Sequence, residues 1–102
     1  MDTDVGRFSD PALLILTSLA AEPRHGYAMM QDIAQFSGVR LEPGTLYGAL
    51  ARLEARGWIQ PLPSDDRRRP YALTAAGAEA LRHQLARLEV IAALGSARLA
   101  TS

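Results

Sequence analysis

A mainly α-helical fold with one small β-hairpin is predicted by three features of this sequence. Apolar residues recur at helical spacing in four separate stretches. Between the third and fourth, PSDDRR at 63–68 has the composition of a turn. On either side of it, WIQPL at 58–62 and RPYAL at 69–73 read as short strands. The predicted order is helix, helix, helix, hairpin, long helix.

The first helix is predicted over about 10–21. Ser9 and Asp10 offer capping oxygens, and Pro11 sits where a missing N–H costs nothing. Leu13, Leu14, Ile15, Leu16 and Leu19 make this helix apolar nearly all round, so more than one side must be covered. In so small a domain the second cover is expected to come from another chain. The second helix, about 26–37, ends at Gly38, a residue suited to a left-handed C-terminal cap. Its inner face is assigned to Tyr27, Met30, Ile33, Ala34 and Phe36. Pro43 opens a third helix that runs to about Arg56 and is closed by Gly57. Pro61, Pro63 and Pro70 limit both strands to edge-type pairing. Thr74 caps a last helix predicted over about 75–98. Residues 1–8 are polar and are expected to form a flexible N-terminus.

With 102 residues, 48% of them apolar, the chain can bury one core and is not a disordered sequence. The absence of cysteine excludes disulfides, zinc–thiolate sites and cysteine nucleophiles. The longest apolar run, ALLILTSLAA at 12–21, is too short to span a bilayer. A soluble intracellular protein without membrane contact is therefore expected, and neither a cofactor nor a metal site is read from the sequence. Formal charge sums to zero, but its distribution is uneven. Between 67 and 98, Arg67, Arg68, Arg69, Arg82, Arg87 and Arg98 outnumber Glu79 and Glu89. Between 1 and 22, Asp2, Asp4, Asp10 and Glu22 outnumber Arg7. A neutral total can thus hide a basic face.

The third helix carries a candidate binding face. Leu46, Leu50 and Leu53 form a stripe at i, i+4 and i+7 that must face the core. The other side presents Thr45, Ala49, Arg52 and Arg56, with Gly48 near its edge. Small residues let a helix enter a groove, and arginine reaches phosphates or guanine edges. A glycine costs about 1 kcal/mol in a helix relative to alanine, which close backbone approach at Gly48 would justify. Pro43-Gly44-Thr45 also exposes free N–H groups at the helix start. By itself this is equally an ordinary amphipathic helix with a solvated arginine face.

The hairpin shifts the balance toward a binding face. Three helices followed by a two-stranded hairpin is the order of a winged helix-turn-helix, in which the third helix enters the major groove. The hairpin then meets the flanking backbone or minor groove. Arg67, Arg68 and Arg69 repel one another, and a duplex supplies the anion they lack. The competing reading is a solvated turn neutralised by Asp65 and Asp66. In the last helix, Leu81, Leu85, Leu88, Ala92, Gly95 and Leu99 are spaced four, three, four, three and four, a heptad-type seam widened by Ile91 and Leu94. A homodimer is expected, the alternative being a last helix folded back onto its own domain; the interface is assigned to those seam residues and Ile91, together with Leu13 and Leu16 of the first helix. The domain division is 1–8, a winged helix-turn-helix over 9–74, and a dimerisation helix over 75–102.

HGYAMMQDI at 25–33, PGTLYGALARLEARGWI at 43–59 and RRRPYALTAAG at 67–77 resemble, in order and spacing, the PadR family of bacterial transcriptional regulators. The resemblance implies a winged-helix domain that binds double-stranded DNA and a homodimer formed through the C-terminal helix. It also implies a repressor released by an effector, working in the bacterial cytoplasm and associated with the nucleoid when bound. Family contacts carry over to Gly44, Thr45 and Tyr47 and to the wing arginines; Leu46 matches the motif but faces the core. Tyr27 matches the HGY tyrosine, which is expected to pack the second helix on the third with its hydroxyl near a phosphate. With Gly48, Ala49, Arg52 and Arg56 these residues make up the predicted DNA interface. Many members have proline where Gly48 stands. The short C-terminal region resembles the subfamily with a single dimerising helix. Its multidrug-sensing members stack planar ligands on a tryptophan of the last helix. Here the single tryptophan is Trp58, at the start of the wing, so that pocket is not carried over.

Two rival readings stand beside this one. Catalysis finds little support: His25 and His83 are the two histidines, and no GxSxG, P-loop or HExxH pattern occurs. His25, at a helix start, fits a capping role. The alternative within the same fold is a winged-helix protein-protein interaction module without DNA binding.

Overall fold

A computed structural model describes residues 10–65 and 67–101. The expected flexible N-terminus at 1–8, Ser9 and Asp66 lie outside the described residues. Helix α1 spans Pro11–Ala21, and the Asp10 carboxylate accepts from the Ala12 N–H at 3.0 Å. Helix α2 spans Gly26–Ser37, α3 spans Pro43–Ala55 and α4 spans Ala75–Ala100. Strands β1 (Ile59–Pro61) and β2 (Tyr71–Leu73) pair antiparallel, with Ile59 opposite Leu73 and Pro61 opposite Tyr71. Flanking bonds from Leu62 N–H to Pro70 O (2.9 Å) and from Thr74 N–H to Trp58 O (3.0 Å) lengthen the ladder at both ends.

One core serves the whole domain. Ile15, Leu16, Met29, Ile33, Leu46, Leu50 and Ile59 are its largest fully buried apolar side chains. Helix α1 is at its centre and packs on α2, α3, α4 and β2. Its all-round apolar surface is therefore covered by its own chain, not by a second one. This corrects two interface assignments. Leu16 is 1% exposed and Leu13 is buried within the single chain. Leu81 is also buried there, where α4 crosses the core.

Helix α2 is rotated from its expected phase. Gly26, Met29 and Ile33 are buried, whereas Tyr27 and Phe36 are exposed. Two overlapping apolar stripes run along this helix, and the tertiary contacts of Gly26 select between them. A Cβ at Gly26 would collide with the Tyr47 hydroxyl, so α2 and α3 meet at this glycine. His25 caps α2: its Nδ1 accepts from the Ala28 N–H at 3.3 Å. Gly38 ends the helix at φ 77°, a left-handed conformation that glycine adopts without steric penalty.

The hairpin is also more embedded than its prolines suggested. Arg24, in the link between α1 and α2, forms an antiparallel bridge with Tyr71. β2 is thus paired on both sides at Tyr71, and β1, which carries Pro61, keeps the free edge. The wing is bonded to the body of the domain through that bridge. Thr74 then fixes the start of α4. Its hydroxyl accepts from the Gly77 N–H at 3.0 Å and donates to Gly57 O at 2.6 Å.

Gly77 is buried where α4 leaves the wing, and a Cβ there would run into the backbone carbonyl of Trp58. Backbone cannot swing aside as a side chain can. Gly77→Ala is therefore expected to destabilise the fold by about 1–3 kcal/mol, the range of overpacked sites, as measured by denaturant unfolding. Retained stability in that variant would show that the α4 crossing relaxes freely. Beyond Leu88, which packs against the core, α4 runs on with every described residue exposed, Ala92 and Gly95 included. No helix among the described residues is long and apolar enough to cross a membrane.

Candidate nucleic-acid interface

The N-terminal turn of α3 is open to the outside. Pro43 has no N–H to lose, and Glu42 at the cap position makes no side-chain cap bond. Leu46 N–H returns to Glu42 O at 2.9 Å. The N–H groups of Gly44 and Thr45 belong to the turn that helix geometry leaves without intrahelical acceptors. Nothing would stand within 4 Å of a Cβ on Gly44, so its backbone faces free space. Thr45 and Tyr47 are exposed on the same turn. One turn on, a Cβ at Gly48 would approach nothing closer than Arg52 Nη1, at 3.6 Å. Arg52 thus folds its guanidinium back along the outer face of the helix.

The wing closes on this turn. A cleft of about 310 Å³ is lined by His25, Gly26, Tyr27 and Tyr47 on one side and by Arg67, Arg68, Arg69 and Tyr71 on the other. Three segments distant in sequence meet there: the start of α2, Tyr47 of α3 and the hairpin. All three wing arginines are exposed. None forms an ion pair among the described residues, and Asp65 does not neutralise them there. Among the described residues the lining contains three cationic side chains, three tyrosines and no carboxylate. Such a surface attracts a polyanion and offers it hydrogen-bond donors.

Of the residues assigned to the DNA interface, Tyr27, Tyr47 and the three wing arginines line this cleft, whereas Gly44, Thr45, Gly48 and Arg52 do not. Ala49 is 1% exposed and packs in the core beside Leu46 and Leu50, so it contacts no ligand. Its position, three residues after Leu46 and one before Leu50, falls within the buried stripe. Arg56 caps the far end of α3, and its guanidinium lies 5.1 Å from the centre of the Trp58 ring. That cation–π contact holds it against Trp58, and it does not line the cleft. Tyr27 does not pack α2 on α3; it is exposed, and its hydroxyl accepts from Gln31 Nε2 at 3.2 Å. Sequence reasoning missed His25, Gly26 and Tyr71 as parts of the cleft. The glycine of HGY carried a signal, since a glycine at a helix start next to an aromatic often marks close backbone approach.

A helical core, a third helix with an open first turn and a cationic hairpin closing on it define a winged helix-turn-helix protein of the transcription-regulator class. Residues 15–83 match the transcriptional regulator PadR-like family, and the chain belongs to it. It is 39% identical over 83 residues to the transcriptional regulator Rv3488 of Mycobacterium tuberculosis, covering 78% of this chain and 77% of that one. It is 52% identical over 85 residues to an uncharacterised 37.1 kDa protein in transposon TN4556 of Streptomyces fradiae. That match covers 80% of this chain but spans only 25% of the relative's length.

Among solved structures, a PadR family transcription regulator from Clostridium difficile R20291 superposes with a TM-score of 0.79. The identity is 26%, with 87% of this chain and 97% of that one covered. A PadR family regulator from Eggerthella lenta gives 0.77 at 30% identity, covering 89% and 82%. The family and these neighbours are transcription regulators, not enzymes.

Proposed function

We propose that this chain is a sequence-specific DNA-binding repressor that acts in the cytoplasm as a homodimer and leaves its operator when an effector binds. One observation carries the reading above all: the wing arginines and Tyr47 of α3 share a single cleft that, among the described residues, holds no carboxylate. In the complex the outer face of α3, with Gly44, Thr45, Tyr47, Gly48 and Arg52, enters the major groove. Arg67, Arg68 and Arg69 hold the adjacent phosphates, and the tyrosine hydroxyls of the cleft add donors to the same backbone. The exposed apolar run of α4 supports the second chain: Leu85, Ile91 and Leu99 lie uncovered in a single copy. Two copies present two recognition helices, so the operator is a pseudo-palindrome with half-sites about 34 Å apart, one helical turn of DNA. Repression and effector release rest on membership of the family.

Titration of a labelled fragment of the protein's own promoter, at two salt concentrations, tests this. Tight binding that weakens steeply with salt, with a footprint of two-fold symmetry, is the expected result. No binding to any duplex, or binding indifferent to salt, would leave a winged helix used for protein contacts.

A further inference from the structure

The wing is held to the body of the domain by Arg24, and Arg24 is held by a part-buried contact whose side chains do not line the cleft. Ser18 is a polar residue in the apolar helix α1, 1% exposed, and its hydroxyl donates to Asp32 Oδ2 at 2.7 Å. The other carboxylate oxygen, Oδ1, stands 3.7 Å from Arg24 Nη2. Arg24 Nε donates to Ser18 O at 3.4 Å, and Nη1 lies 3.4 Å from Glu22 Oε2. The Arg24 and Asp32 side chains are only 20% and 25% exposed, while Glu22 is largely solvated. The backbone of Arg24 bonds Tyr71 twice, accepting from its N–H at 2.9 Å and donating to its carbonyl at 3.1 Å. Tyr71 lines the cationic cleft two residues after Arg69.

We infer that Asp32 and Arg24 are positioning residues for DNA binding: the Ser18–Asp32–Arg24 contact fixes the link between α1 and α2, and through the Arg24–Tyr71 bridge it sets where the wing arginines stand relative to α3. This inference rests on the DNA-binding reading above. Neither Asp32 nor Arg24 lies on the face offered to the duplex by α3, and each acts through Tyr71. Local ordering of this kind matters because a mobile wing must be ordered on binding, which weakens the complex, and an arginine left out of place forfeits its phosphate contact.

Asp32→Asn keeps the volume and an acceptor for Ser18 but removes the charge that holds Arg24. Affinity for the promoter fragment is expected to fall about tenfold, in line with substitutions that change coupling between sites. The slope of log affinity against log salt is expected to drop by about one as a phosphate contact is lost. Amide exchange at Arg24 and Tyr71 should quicken while Leu50 and Leu53, in the core, stay protected. Should Asp32→Asn fail to fold, Arg24→Met leaves the Ser18–Asp32 bond in place and is expected to give the same pattern. Unchanged Tyr71 exchange and salt slope in a folded variant would overturn the inference. So would exchange that rises in core and wing alike, because Asp32 would then only hold the fold together. If the wild-type protein bound no DNA, the regulator reading would fall, while the exchange data would still judge the anchor.

Discussion

Replacing Arg67, Arg68 and Arg69 by alanine is expected to weaken DNA binding by on the order of a hundredfold or more. Three charged hydrogen bonds at even ~1 kcal/mol each, below the usual range for charged partners, already sum to that. The loss should be nearly the same for operator and unrelated duplex, because phosphate contacts carry no base identity. The salt slope should fall by about 0.9 for each phosphate contact removed. Stability should hardly change, since all three side chains are exposed and form no ion pair among the described residues. Exposed substitutions of this sort usually stay within about 0.5 kcal/mol. Anisotropy titrations over a salt series, with a thermal melt as control, measure all of this. A collapse of sequence preference with an intact salt slope would show that the wing reads bases instead of holding phosphates.

The second large effect is expected on α4. Twenty-six residues at 1.5 Å each make this helix about 39 Å long, and the long axis of the molecule is 57 Å. Its distal part is exposed in the single chain. Leu85 is 41% exposed and Leu99 77%, and Leu85, Ala92 and Leu99 repeat every seven residues. Leu85→Asp together with Ala92→Asp is expected to give monomers at micromolar concentration by sedimentation. The same pair of changes should weaken operator binding by about a hundredfold or more, the gain that joining two binding modules provides. These positions are chosen because they are exposed in one copy. Leu88 is a poorer choice: it packs against the core of its own chain, so charge there would unfold the monomer as well. A stable dimer in the double variant would remove the seam from α4.

Much of the fold was legible because its signals are local. Asp10-Pro11, Gly38, Pro43, Gly57 and Thr74 mark helix ends by capping chemistry that needs no tertiary information, and each ends or starts a helix within a residue or two of expectation. The Leu46, Leu50 and Leu53 stripe fixes the core face of α3 in the same way. Two of the misassigned residues share one cause. Tyr27 against Met29 in α2, and Ala49 in α3, sit at the boundary of a stripe, where a rotation of one residue exchanges inside and outside. Small or amphipathic side chains such as Ala49 and Tyr27 fit either environment, so their identity does not decide it. The burial of Leu13 and Leu16 depended on how many elements α1 touches, which periodicity along α1 does not state.

By itself, then, the sequence determined the element order, the helix boundaries, the family and the presence of a cationic hairpin after a groove-compatible helix. These are properties of neighbouring residues and of motif spacing. Only the tertiary structure decided that His25, Tyr47 and Tyr71 share a cleft with three arginines, that Arg56 is diverted onto Trp58, and that Arg24 ties the wing to α1 and α2. The reason is physical: these contacts join residues up to 47 positions apart (Arg24 to Tyr71). They form once burial of the shared core has fixed the angles between helices, and no local preference in the chain encodes those angles.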